Sequence, residues 1–272
     1  MSPAVCGLVP GSGGTLIAYQ VDGPIGAPWL ILSNSLASDR RVWGPQINAL
    51  TSKYRVLRYD TRGHGDSQPG TAPYDFGQLT EDVHVLFETL EIERADFMGI
   101  SLGGMTGLAF AMCAPERVGR LICCDARASA PPPYKTIWEN NIAKLQEVGM
   151  NGLVEPTLER WFTPEFLTAP ENASVLATVR SMFAATSPIG YEGTARALQN
   201  LDMLDGLPNL KCETLYIVGE ADMAAPVDVM RDMADRTPRA ALKVLPNASH
   251  LSNIEQPAAF NSAVSDFLSL RS

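Results

Sequence analysis

Short apolar-rich runs that recur between helical segments constrain this chain more than any other feature. Residues 29–32, 54–59, 95–100, 118–124, 214–218 and 241–245 are such runs. Apolar residues at successive positions are what a parallel strand buried on both faces needs. The segments between them carry helical spacing. Leu79, Val83, Leu86 and Leu90 recur every three to four residues within 78–90, and 43–52, 104–112, 227–236 and 257–270 read as further helices. Strands and helices in alternation predict an α/β fold, a mostly parallel sheet covered on both faces. Residues 15–21 follow the Gly11-Ser12-Gly13-Gly14 turn and pair with the strand before it as a hairpin. That glycine cluster is read as a turn rather than a phosphate cradle, because no helix start and no lysine follow it.

The alternation stops after Asp125. Pro131-Pro132-Pro133 marks a boundary, and the stretch to about Asn200 reads as helical without strands. Trp138, Ile142 and Leu145 form one helical stripe there; Leu153, Leu158 and Trp161 form another. The predicted organisation is a core of residues 1–130 and 201–272, with a helical cap, 131–200, inserted after the sixth strand. A chain of 272 residues can bury such a core.

Composition removes several classes of function. A net charge of −9 argues against binding a nucleic-acid backbone, which needs clustered Lys and Arg. No apolar run reaches the roughly 18 residues of a membrane span, and the start, Met1-Ser2-Pro3-Ala4-Val5-Cys6, lacks the pattern of a signal peptide. The five cysteines show no C-x-x-C spacing, and Cys113, Cys123 and Cys124 lie in apolar segments where a free thiol acts as a small hydrophobe. These features predict a cytoplasmic protein with no cofactor and no metal, either a monomer or a homo-oligomer.

The chemistry centres on Gly99-Ile100-Ser101-Leu102-Gly103, which fits G-x-S-x-G between a predicted strand and a predicted helix. In that setting the pattern is a nucleophile elbow, a sharp turn that presents a serine hydroxyl at the mouth of a sheet. A serine nucleophile needs a base and an acid to orient it. Of three histidines, His250 lies in the loop between the last strand and the last helix, where a parallel sheet places working groups. His64, in the Arg62-Gly63-His64-Gly65 turn, reads as structural, and His84 as a solvated helix residue. The order serine, acid, histidine requires a carboxylate between Ser101 and His250. Asp222 is the first choice and Asp125, after the strand beyond the elbow, is its competitor; Glu220 reads as a turn residue. The oxyanion of a tetrahedral intermediate needs two N–H donors. Leu102, after the serine, and Leu36, in the loop after the 29–32 strand, are the candidates.

These motifs resemble the α/β-hydrolase superfamily over essentially the whole chain. More narrowly, the chain is similar to the 3-oxoadipate enol-lactone hydrolases of bacterial aromatic catabolism. The narrower likeness rests on Leu32-Ser33-Asn34-Ser35-Leu36 with Trp43, on Arg160-Trp161-Phe162-Thr163 in the cap and on His250-Leu251-Ser252-Asn253. It implies an α/β-hydrolase fold with an inserted helical lid. It also implies hydrolysis of a small lactone or ester through an acyl-enzyme on Ser101, with His250 as base and Asp222 as acid. Two segments depart from the pattern: Cys123-Cys124-Asp125-Ala126-Arg127, where an Asn-Thr-like pair is expected, and Arg40-Arg41. Arg127 and Arg41 beside the pocket would favour an anionic, carboxylate-bearing small-molecule substrate, with Trp138 and Trp161 as pocket walls. The alternatives are carboxylester, amide-enamine or carbon–carbon bond hydrolysis on the same residues, or a small-molecule receptor without catalysis.

Overall fold

The computed structural model describes residues 4–269; residues 1–3 and Leu270, the expected end of the last helix, lie outside them. One sheet holds β1 (Val5–Pro10), β2 (Leu16–Asp22), β3 (Trp29–Ser33), β4 (Arg55–Tyr59), β5 (Ala95–Ile100), β6 (Val118–Cys124), β7 (Glu213–Gly219) and β8 (Ala240–Leu245). Their spatial order is β1-β2-β4-β3-β5-β6-β7-β8. The β1–β2 hairpin and its junction with β4 are antiparallel, and every other pairing is parallel. β5, at the centre, is buried at every position, as a strand covered on both faces must be.

The helices are α1 (Gly44–Leu50), α2 (Phe76–Thr89), α3 (Leu102–Cys113), α4 (Pro132–Trp161), α5 (Pro164–Thr168), α6 (Ala173–Ala185), α7 (Pro188–Gln199), α8 (Val227–Arg236), α9 (Ser252–Glu255) and α10 (Pro257–Ser269). α3 packs on β5 and β6, α2 packs on α3, and α1 packs on α10. α2 starts at a capping box, with the Asp75 carboxylate accepting the Gln78 N–H and the Gln78 side chain accepting the Asp75 N–H. Among the described residues no helix is long and apolar enough to cross a membrane.

Some elements differ from the sequence reading. The helix expected over 43–52 is a 3-10 turn, Arg40–Trp43, followed by α1. The two helical stripes of the cap fall, as read, on two helical segments of α4 that meet at a break at Gly149, where φ is +66°. Cys113 is exposed at the end of α3, whereas Cys123 and Cys124 are buried. The cap helices α4 to α7 leave and rejoin the core side by side. Ala130 N–H donates to Leu201 C=O at 2.9 Å, and Met203 N–H to Ala128 C=O at 2.7 Å. This short antiparallel bridge ties the two ends of the insertion together.

His64 is fully buried in its turn, with Nδ1 3.0 Å from Arg62 C=O. Burial pushes its imidazole down to about 4. The unfolded value is about 6.5, so the unfolded chain takes up this proton first as the pH falls. The site therefore stabilises the fold above about pH 6.5, and that stability is lost towards pH 4. A shift of this size, from about 6.5 to about 4, is worth up to about 3 kcal/mol. Urea unfolding at pH 7 and pH 5 should show a steeper loss for wild type than for His64→Gln; equal losses would contradict the assignment.

Candidate active site

Ser101 closes β5 and opens α3 with φ +54° and ψ −118°, a conformation that costs a non-glycine residue on the order of 1–3 kcal/mol. The surroundings hold it there. Its N–H donates to Cys124 C=O at 2.8 Å, and its C=O accepts Met105 N–H at 3.0 Å. The flanking glycines follow from close approach. A Cβ on Gly99 would lie 2.1 Å from Gly103 C=O, and one on Gly103 would lie 2.1 Å from Ser33 C=O. The same approach seats the start of α3 against the loop that carries Leu36.

Ser101 Oγ lies 2.9 Å from His250 Nε2, and His250 Nδ1 lies 2.8 Å from Asp222 Oδ2. All three residues are buried. The other Asp222 oxygen accepts the N–H groups of Ala224 at 2.7 Å and Ala225 at 3.0 Å, which fixes the carboxylate. An ionised carboxylate only accepts, so Nδ1 carries its proton towards Asp222 and Nε2 is left to accept from the serine hydroxyl. Asp125, the competing acid, is turned elsewhere: it accepts Gly219 N–H at 2.8 Å and the Ser252 hydroxyl at 2.5 Å. Glu220 is exposed. Leu102 begins α3, so its N–H has no acceptor within the helix. Leu36 borders the cavity beside Ser101. Among the described residues neither of these N–H groups has a protein acceptor.

The loop bearing His250 is anchored at several side chains after it. Asn253 donates to Val42 C=O at 2.9 Å and to the Gln46 side chain at 3.1 Å. Glu255, buried, accepts the Ser249 N–H at 2.7 Å and the Thr163 N–H at 2.8 Å, which joins the loop to the cap. These anchors were not singled out from sequence as site residues, although His250-Leu251-Ser252-Asn253-Ile254-Glu255 contains them.

A cavity of about 340 Å³ opens over Ser101 and His250. Trp138 and Trp161 from α4 are both on its wall, with Tyr134 and Tyr191. Arg127 is also on the wall. Its Nε donates to Ser129 C=O at 3.2 Å, its Nη1 to Ala224 C=O at 3.1 Å, and its guanidinium stacks 4.4 Å from the Tyr134 ring. Burial pulls its pKa down from the ordinary arginine value. Arg160 of α4 is a further cation on the wall, not singled out from sequence as a site residue although it opens the Arg160-Trp161-Phe162-Thr163 segment; its Nη2 donates to the Thr157 hydroxyl at 3.2 Å. Among the described residues neither Arg127 nor Arg160 forms an ion pair. Arg41 is a correction. It is half-exposed, off the cavity wall, and paired with Asp39 at 2.7 Å, because Asp39 caps the Arg40–Trp43 turn and accepts the Arg41 N–H. Arg40 is likewise taken up by Asp60 and Asp66.

A serine, an imidazole and a carboxylate in a row at the carboxyl edge of a mostly parallel sheet, under inserted helices, define a hydrolase of the α/β class. The chain belongs to the α/β hydrolase fold family, whose profile matches residues 28–257. It is 35% identical over 246 residues to 3-oxoadipate enol-lactonase 2 of Acinetobacter baylyi, covering 90% of each chain. It is 30% identical to the putative carbamate hydrolase RutD of a Caulobacter species, covering 88% of this chain and 90% of that one. Among solved structures, the enol-lactonase from Burkholderia xenovorans LB400 superposes with a TM-score of 0.91 at 39% identity, over 97% of this chain and 99% of that one.

The close approach at Gly103 gives a direct test. Gly103→Ala should push the start of α3 away from Ser33 and lower hydrolysis of any ester the wild type accepts by on the order of 100-fold. The melting temperature should fall with it, since overpacking costs about 1–3 kcal/mol. Wild-type activity in this variant would contradict the geometric role given to the glycine.

Proposed function

We propose that this enzyme opens a small, carboxylate-bearing enol-lactone or ester through an acyl-enzyme on Ser101. The observation that carries the reading is the continuous hydrogen-bonded row from Ser101 Oγ through His250 to Asp222, beneath a cavity whose arginines, among the described residues, form no ion pair. The 3-oxoadipate enol-lactonase relatives support the substrate class.

In this mechanism His250 Nε2 takes the hydroxyl proton as Ser101 Oγ attacks the acyl carbon. Asp222 stabilises the imidazolium, and the Leu36 and Leu102 N–H groups receive the oxyanion. The tetrahedral intermediate collapses, the ring C–O bond breaks, and His250 returns the proton to the leaving oxygen. With an enol-lactone that enol becomes a ketone, which draws the step forward. Water then attacks the acyl-enzyme, its proton passing to Nε2; as the second tetrahedral intermediate collapses, Nε2 returns that proton to Ser101 Oγ and the acid departs. Arg127 holds the substrate carboxylate through charge-assisted bonds, with Arg160 as a second donor. Trp138 and Trp161 form the apolar walls around the remainder of the substrate. The resemblance to enzymes of bacterial aromatic catabolism makes the cytoplasm the expected compartment.

A substrate panel of a carboxylate-bearing enol-lactone, a neutral nitrophenyl ester, an amide and a diketone tests this reading. The enol-lactone should have the highest kcat/KM, and Ser101→Ala should lose about 10⁴-fold or more on it. Full activity in Ser101→Ala would sink the acyl-enzyme, and a preference for the amide or diketone would move the substrate class. Arg127→Met should raise KM for the anionic lactone about 10- to 100-fold, the loss of a hydrogen bond to a charged group. The neutral ester should be far less affected, and an equal loss on both substrates would remove Arg127 from carboxylate recognition.

A further inference from the structure

Residues 33–38, the end of β3 and the loop after it, hold four polar side chains. Three of them bind within the fold. The Ser33 hydroxyl meets the Tyr59 hydroxyl at 2.7 Å, the Asn34 amide donates to Tyr59 C=O at 2.7 Å, and the Ser38 hydroxyl donates to Ser35 C=O at 2.8 Å. The fourth, Ser35, is only 1% exposed, and among the described residues its Oγ has no hydrogen-bond partner. Ser35 lines the cavity with Ser101, His250 and Leu36. A buried hydroxyl without a partner weakens the fold, and alanine, of nearly the same size, would avoid that loss.

The backbone that carries this hydroxyl is fixed. Ser35 C=O accepts the Ser38 N–H at 3.2 Å as well as the Ser38 hydroxyl. Asn34 C=O, one residue earlier, faces Gly103, where a Cβ would approach it to 2.8 Å. That contact seats the loop beside the first turn of α3, which offers the Leu102 N–H. Leu36 N–H follows Ser35 directly. Four covalent bonds separate Ser35 Oγ from that nitrogen, so the two are at most about 5 Å apart. One ligand oxygen can therefore accept from both.

The reaction distinguishes a third donor from the first two. A lactone or ester carbonyl oxygen has two lone pairs, which two N–H groups fill. When Ser101 Oγ adds to the acyl carbon, that oxygen becomes an alkoxide with three lone pairs. A third donor gains its partner only then, which is the condition for raising kcat rather than substrate binding.

We propose that the Ser35 hydroxyl is a third oxyanion donor, engaged in the tetrahedral state beside the Leu36 and Leu102 N–H groups. This deepens the acyl-enzyme reading above and rests on it. The hydroxyl keeps its proton throughout, and no covalent bond forms or breaks at Ser35.

The test compares wild type with Ser35→Ala on the carboxylate-bearing enol-lactone and on a neutral nitrophenyl ester. With either substrate kcat should fall on the order of 100-fold, the scale of one lost oxyanion donor, while KM stays nearly constant. An aryl boronic acid, whose adduct with Ser101 is tetrahedral and anionic, should lose inhibitory potency by a comparable factor. The carboxylic acid product should compete as well as before. The melting temperature should hold or rise, because the free protein gives up no hydrogen bond. Unchanged kcat would overturn the proposal. A raised KM confined to the anionic lactone would also overturn it, by placing the hydroxyl on the substrate carboxylate. So would a lowered melting temperature with both inhibitors weakened alike, the mark of a structural role. Full activity in Ser101→Ala would instead remove the acyl-enzyme itself, and this proposal with it.

Discussion

The hydrogen bond between Ser101 Oγ and His250 Nε2 joins segments 149 residues apart, and much of the structure exists to hold it. Each end is fixed by a different device. The serine end is a strained turn between the central strand and α3, held by backbone bonds and by glycines that let three chain segments touch. The histidine end is a turn leading into the short helix α9, held by side chains. Ser252 binds Asp125, Asn253 binds the α1 region, and Glu255 binds the cap. Every one of these polar anchors is buried, so an unmade bond there would leave a polar group without water, a loss of about 1–3 kcal/mol each.

The cavity above the row is organised by the opposite principle, incompleteness. In a chain of net charge −9, Arg40 and Arg41 in the loop after β3 are taken up by local carboxylates, whereas among the described residues Arg127 and Arg160 form no ion pair. Arg127 is held instead by two carbonyls and an aromatic face, which orients the guanidinium without neutralising it. A cation prepared in this way gains most from an anionic ligand, because its orientation is already set before binding. Glu255 links the cap to the histidine loop through Thr163, so the two share an anchor.

Much of this was legible in the sequence, for identifiable reasons. Strands such as β5 and β6 were readable because burial on both faces leaves them mostly apolar, the one charge in each, Asp96 and Arg120, pairing with the other at 2.8 Å. Ser101 and His250 were readable because each sits in a short local pattern at the end of a strand. The start of α3 was not, since Gly103 and Gly104 are poor helix formers and tertiary packing overrides them. The two cap stripes were readable as separate segments because Gly149, at φ +66°, does break the helix between them. Asp222 and Asp125 could not be separated by pattern, because both follow buried strands, and the choice depends on which oxygen meets Nδ1. Arg41 was misplaced and Arg160 missed for one reason. Sequence shows that a charge is near a loop or on a helix, but not which carboxylate claims it first.

The central claim is that Ser101 is a nucleophile activated by His250. A fluorophosphonate probe followed by peptide mass mapping tests it most directly. The account predicts a single adduct on Ser101, formed rapidly by wild type and at least about 100-fold more slowly by His250→Gln, the scale of general-base assistance. An adduct on another residue, or labelling of Ser101 at the same rate without His250, would contradict it.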